Sequence, residues 1–157
     1  MQVPFVTPLG RAEIAAAGVP GDWVYGYADR VRFAEIDQLS HVNNLAYLQW
    51  FEVLRVRYFV AMGLSKYRDD DPQIVMRDQT ATYLAPMFQD EDYIVACRVS
   101  AYRNTSFTID YVCFSDGRAK VTGQSVIVLL EPDGKTKRML PNDIVSRFQN
   151  VDGASKA

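Results

Sequence analysis

The chain predicts an α+β fold: one long helix covered by an antiparallel sheet. Three observations carry this. A 19-residue stretch, 44–62, is apolar on most sides and ends at Gly63. Four long strand-like runs, mostly alternating and rich in Val, Ile, Thr and Tyr, follow it. Turn signals punctuate those runs at Ser115-Asp116-Gly117-Arg118 and Pro132-Asp133-Gly134. A helix that is apolar nearly all round must be covered nearly all round, and a sheet wrapped about it can do so in a small domain.

Residues 1–22 hold few large apolar side chains and end in Gly18-Val19-Pro20-Gly21-Asp22, so they read as an N-terminal arm with a helical turn or two over 12–17. Residues 23–33 read as the first strand. A short turn holding Asp37 leads into the helix. Tyr47, Leu48, Phe51, Leu54, Tyr58 and Met62 make one apolar face of it, while Trp50, Val53, Val56, Phe59 and Val60 cover much of the rest. Gln49, Glu52 and Arg55 form a narrow polar stripe, with Glu52 paired to Arg55 or serving as a second site carboxylate. Gly63 and Leu64 predict a Schellman stop. A charged loop occupies 66–72, and strands are expected over 74–84, 93–102, 106–114 and 119–130. A short helix over 142–148 follows Pro141. The main domain is expected over 23–150, with a flexible C-terminal tail over 151–157.

At 157 residues there is room for one sizeable core. Net charge is −2 with no basic tract, which argues against nucleic acid as a partner. No apolar run approaches the roughly 20 residues a membrane span needs, and the N-terminus has no signal-peptide pattern. The two cysteines, Cys97 and Cys113, lack metal-ligand spacing and read as reduced core thiols, so the expected location is cytoplasmic.

The chemistry centres on Asp37. A carboxylate in a turn beside a helix N-terminus sets a base or nucleophile next to free backbone N–H groups, which can hold a developing oxyanion. Asp37 is alternatively a turn or cap residue. Asn43 and Asn44 are candidate N-caps, and Asn44 is a candidate amide donor as well. His41, the only histidine, either packs structurally or assists Asp37. Thr105 and Ser106 have no histidine neighbour and no nucleophile-elbow glycines, which argues against a serine-hydrolase triad.

Asp37-x-x-x-His41-Val42-Asn43-Asn44-x-x-Tyr47-Leu48-x-x-Phe51-Glu52 resembles hot-dog acyl-CoA thioesterases of the 4-hydroxybenzoyl-CoA thioesterase-like family, in the branch with a His-Val-Asn-Asn segment that includes bacterial long-chain acyl-CoA thioesterases. Tyr83-x-x-Pro86 with Asp90, Asn104-Thr105-Ser106 and Leu140-Pro141 fall in the expected order behind it, so the resemblance spans about 27–141. It implies a hot-dog fold, with Asp37 as the catalytic carboxylate and the Asn44 backbone N–H facing the thioester carbonyl. It also implies a site at a dimer interface, lined by Asn43 and Tyr47 and by Asn104, Thr105 and Ser106 of a second subunit. Some members carry a histidine at the position of Asn44, where this chain has His41 instead. The His-x5-Pro pattern of the fold's dehydratases is absent from the helix start.

Thioester hydrolysis suits so sparse a site. The thiol leaving group, with a pKa of about 8.5, departs as thiolate without a strong general acid. The expected activity is hydrolysis of acyl-CoA to a carboxylic acid and coenzyme A by a homodimer or homotetramer, with no metal or redox cofactor. The alternatives are a non-catalytic acyl-CoA-binding module and a thioesterase acting on acyl carrier protein.

Overall fold

The computed structural model describes residues 3–157. Its elements, in chain order, are β1 (Leu9–Gly10), α1 (Arg11–Ala16), β2 (Tyr25–Arg30), a 3₁₀ turn (Phe33–Glu35), α2 (Asn44–Ala61), β3 (Gln73–Tyr83), β4 (Asp92–Tyr102), β5 (Ser106–Ser115), β6 (Arg118–Leu130), α3 (Asn142–Arg147), a π turn (Phe148–Asp152) and β7 (Ser155–Lys156). The seven strands form one sheet in the order β1-β2-β4-β5-β6-β3, with β7 joined to β4. β2 pairs antiparallel with β1 and with β4, and β7 runs parallel to β4. With α2 packed against the sheet, this is the α+β hot-dog arrangement that the sequence predicts.

Local chemistry explains the boundaries. α2 stops one residue before the expected end, in a Schellman motif. The Gly63 N–H donates to the Val60 carbonyl at 3.1 Å and the Leu64 N–H to Phe59 at 3.0 Å. Gly63 has φ +80°, a conformation glycine adopts without a Cβ penalty. The β5–β6 hairpin turns through Asp116 and Gly117, both at positive φ, as a type I′ turn requires.

The chain forms two compact units. The first contains the chain up to Arg55, with Ala81–Arg98 and Tyr111–Gly123. Side chains alternate across its strands, and both sheet faces are covered. On one face Trp50 of α2 stacks on Tyr93 at 4.0 Å between ring centroids, and Phe51 stacks on Tyr111 at 4.8 Å. On the other, Ala28, Ile94, Ala96, Val112 and Phe114 form a cluster with Leu9, Ile14 and Val19. The residues read as an arm thus lay β1 and α1 over the sheet. The run Tyr93-Ile94-Val95-Ala96-Cys97, apolar at every position, is buried throughout.

The second unit contains Val56–Thr80, Val99–Asp110 and Gln124–Ala157. Phe59 meets Phe107 edge-on at 5.6 Å, and Phe107 packs on Phe148 at 5.0 Å. Residues 151–157, expected to be a flexible tail, are anchored. The fully buried Asp152 accepts the Tyr58 hydroxyl at 2.6 Å and the Val99 N–H at 2.8 Å. The Ala157 N–H donates to the Tyr102 carbonyl at 2.8 Å.

The covering of α2 differs from expectation in two ways. Arg55, expected on a polar stripe, is buried, with a 3.8 Å approach to the exposed Glu52 carboxylate. Conversely, Leu45, Val53, Val56 and Val60 are exposed. These four lie at helical spacing, so the chain leaves one apolar strip of α2 uncovered. β3 ends the sheet order and exposes Val75, Met76 and Tyr83.

Candidate active site

The turn between the 3₁₀ segment and α2 is closed by an antiparallel bridge between Ile36 and Val42. Asp37 organises it in the manner of an Asx turn. Its N–H donates to the His41 carbonyl at 2.8 Å, and its carbonyl accepts the Ser40 N–H at 3.0 Å. Its Oδ1 accepts the Leu39 N–H at 2.8 Å and the His41 N–H at 3.3 Å. Bonds to backbone groups therefore fix both the main chain and the carboxylate of Asp37. Oδ2 has no hydrogen-bond partner among the described residues.

Two bonds tie this turn to α2. The Asn43 N–H donates to the Glu35 carbonyl at 2.7 Å. The Trp50 indole N–H donates to Glu35 Oε1 at 2.9 Å. Asn43 is the N-cap: its Oδ1 accepts the Leu45 N–H at 2.9 Å, and its carbonyl accepts the Ala46 N–H at the same distance. Asn44 is then the first helical residue, and its N–H has no acceptor among the described residues. Its carbonyl accepts the Tyr83 hydroxyl at 3.3 Å.

A cleft of about 350 Å³ opens here, lined by Asp37, His41, Val42, Asn44, Tyr47, Tyr83, Leu84, Ala85 and Pro86. The fold thus brings Asp37, His41, Asn44 and Tyr47 to one cavity, and Asn43 caps the helix beside them. The His41 imidazole makes no hydrogen bond among the described residues and packs edge-on against Phe88, with centroids 5.3 Å apart. Tyr47 is buried, in ring contact with Trp50 and Tyr83, and burial pushes its phenol pKa far up. Burial also pushes up the Cys113 thiol, whose Sγ lies 3.6 Å from the Met87 sulfur. Neither group is a nucleophile near neutral pH.

Asn104, Thr105 and Ser106 do not line this cleft. They belong to the second unit, where the Asn104 and Thr105 carbonyls accept the N–H groups of Leu140 and Leu129 at 2.8 and 2.9 Å. Ser106 borders a separate recess of about 260 Å³ with Arg77 and Arg103.

Sequence reasoning missed Glu35 and the cleft wall made by Leu84, Ala85 and Pro86. Glu35 carries no pattern of its own, since its role depends on an indole fifteen residues away. The wall had a signal in Tyr83-x-x-Pro86.

Residues 31–148 match the family model of the thioesterase-like superfamily. A thioesterase-superfamily structure from Jannaschia sp. CCS1 is 37% identical, covering 99% of this chain and 100% of that one with a TM-score of 0.95. A thioesterase from Thermus thermophilus, solved with coenzyme A and zinc, is 26% identical over 82% of this chain and 94% of its own, with a TM-score of 0.68. A putative esterase of Aquifex aeolicus is 28% identical over 57% of this chain and 72% of its own length. Three quarters of the chain thus fit one family description, and the protein belongs to the thioesterase-like superfamily.

Proposed function

We propose that this protein hydrolyses acyl-CoA thioesters. One observation carries the reading: a fixed carboxylate, Asp37, and a helix-start N–H without an acceptor among the described residues, that of Asn44, line the same cleft. The thioester carbonyl oxygen takes the Asn44 N–H, aided by the positive end of α2. Asp37 either draws a proton from water as that water attacks the carbonyl carbon, or attacks the carbon itself to give an anhydride that water then opens. In both routes the C–S bond breaks and coenzyme A leaves as its thiolate. The scheme uses no metal or redox cofactor. The superfamily assignment and the coenzyme A bound by the Thermus thioesterase support a CoA carrier. Release of free thiol from a panel of alkyl- and aryl-CoA thioesters tests it. Turnover of at least one is expected. Binding without turnover across the panel leaves an acyl-CoA-binding module, and turnover only of acyl carrier protein thioesters changes the carrier.

The working unit in this reading is a homodimer or homotetramer. β3 ends the sheet order, and an edge strand is a template for pairing with another chain. Its exposed Val75 and Met76, and the exposed Val53, Val56 and Val60 of α2, supply apolar surface for a second copy. A second subunit also gives Asn104, Thr105 and Ser106 a route to the cleft. Sedimentation equilibrium at micromolar concentration is expected to give a dimer or tetramer; a fully active monomer overturns the shared-site arrangement.

A further inference from the structure

We propose that the ion pair between buried Lys120 and half-buried Glu91 positions the candidate catalytic turn, by clamping the 84–91 loop that carries the turn's packing partners. Lys120 and Glu91 are positioning residues here, not catalytic ones. The catalytic consequence rests on the hydrolase reading above; the positioning itself does not.

Lys120 lies on β6 and is 3% exposed. Its ammonium sits 3.1 Å from Glu91 Oε1 and donates to the Pro86 carbonyl at 3.4 Å. Its own backbone carbonyl accepts the Leu84 and Ala85 N–H groups at 2.8 and 3.2 Å. Glu91 Oε2 accepts the Phe88 N–H at 2.9 Å, and Ser115 Oγ lies 2.7 Å from Oε1. Leu84, Ala85, Pro86 and Phe88 are thus all held by these two residues.

The other side of the same loop faces the turn. The Met87 carbonyl accepts the Val42 N–H at 2.9 Å, one residue before the N-cap of α2. The Phe88 ring meets the His41 imidazole at 82°. Leu84, Ala85 and Pro86 line the cleft with Asp37 and Asn44.

Stability alone accounts poorly for such a pair. Desolvating a lysine and a glutamate consumes most of their attraction, and apolar residues of similar shape commonly hold a core as well. What apolar residues cannot supply is direction. The clamp's bonds set the height of the Pro86 and Met87 carbonyls, and with them the Val42 and His41 backbone from which Asp37 takes its geometry. A reacting geometry displaced by about 1 Å costs up to about 100-fold in rate.

The test is the double variant Lys120→Met/Glu91→Gln, which leaves no unpaired buried charge, beside Lys120→Arg, which keeps the cation. His41 is the only histidine, so its imidazole gives one assignable NMR signal, and the Phe88 ring makes that signal sensitive to the loop. In the double variant we expect a folded protein, a shifted His41 signal, and kcat down about 10- to 100-fold with KM for acyl-CoA within about twofold. Lys120→Arg should recover part of kcat. An unchanged His41 signal overturns the proposal, as does a shifted signal with wild-type kcat. A double variant that does not fold also overturns it, since the pair is then needed for the fold itself. If the wild type turns over no thioester, the hydrolase reading fails, and the His41 signal alone decides whether the clamp positions the turn.

Discussion

Asp37 and His41 bond to each other twice, and neither bond uses the imidazole. The Asp37 N–H reaches the His41 carbonyl at 2.8 Å, and the His41 N–H reaches Asp37 Oδ1 at 3.3 Å. The ring turns to Phe88 instead. His41 therefore shapes the turn through its backbone, whose two bonds any residue but proline at 41 can make.

His41→Gln is accordingly expected to cost stability through the lost ring contact, about 0.5–1.5 kcal/mol. It should leave the pH profile of turnover in place. Thermal unfolding and a kcat–pH series check both. A folded variant whose turnover falls about a thousandfold near neutral pH would make the imidazole a working base after all.

Asn44 separates backbone from side chain more sharply. As the first residue of α2 it tolerates proline, whose ring removes only an N–H that the helix does not use. Asn44→Ala keeps the amide and should retain turnover within a few-fold. Asn44→Pro deletes the amide and should lower kcat by about 10²–10³, the worth of one oxyanion donor. Equal activity of the two variants removes Asn44 from the mechanism. Asn43→Ala is the companion control: it should cost about 1 kcal/mol of stability through the lost cap.

The elements written in local chemistry were legible in the sequence. The Gly63-Leu64 stop, the Asp116-Gly117 hairpin and the Asp37-to-Asn44 spacing each depend on a few adjacent residues, and the structure places them within a residue or two of expectation. Where one element's surroundings come from distant chain, the sequence was silent. Leu9, Ile14 and Val19 are too few to mark a packing layer until they meet Ile94 and Val112. Arg55 resembles a solvent residue by its neighbours on the helix, and its burial depends on what lies over it. In the site, the turn itself was readable. The Glu35–Trp50 bond and the loop facing His41 were not, because each partner is meaningful only in three dimensions.

Glu91 carries a pH signature. Burial works against its ionisation, but the bonds from Ser115, Phe88 and Lys120 outweigh that and hold its pKa below the ordinary 4.5. A depressed carboxylate stabilises the fold fully above its unfolded pKa and loses that contribution as pH falls through the lower folded value. Wild-type stability should therefore drop as pH goes below about 4.5. The drop should be shallower in the Lys120→Met/Glu91→Gln variant, which has no carboxylate at 91. Denaturant titrations between pH 7 and pH 3 measure it; parallel curves for the two proteins would show that Glu91 gives no such contribution.

Asp37→Asn is the decisive substitution. The amide oxygen can still accept the Leu39 and His41 N–H groups that now end on Oδ1, so the turn should persist. What is lost is the negative charge and the basic oxygen at Oδ2, the atom with no partner in the turn. Turnover of acyl-CoA should fall by about 10²–10⁴, the usual worth of a positioned base. Affinity should change little, because the turn's bonds remain. Single turnover of the wild type in ¹⁸O-labelled water separates the two routes. Label in Asp37 marks attack by the carboxylate, whereas label only in the product acid marks a general base. Wild-type turnover by Asp37→Asn across a broad thioester panel would remove the carboxylate from the chemistry and leave it the turn residue its Oδ1 bonds already describe.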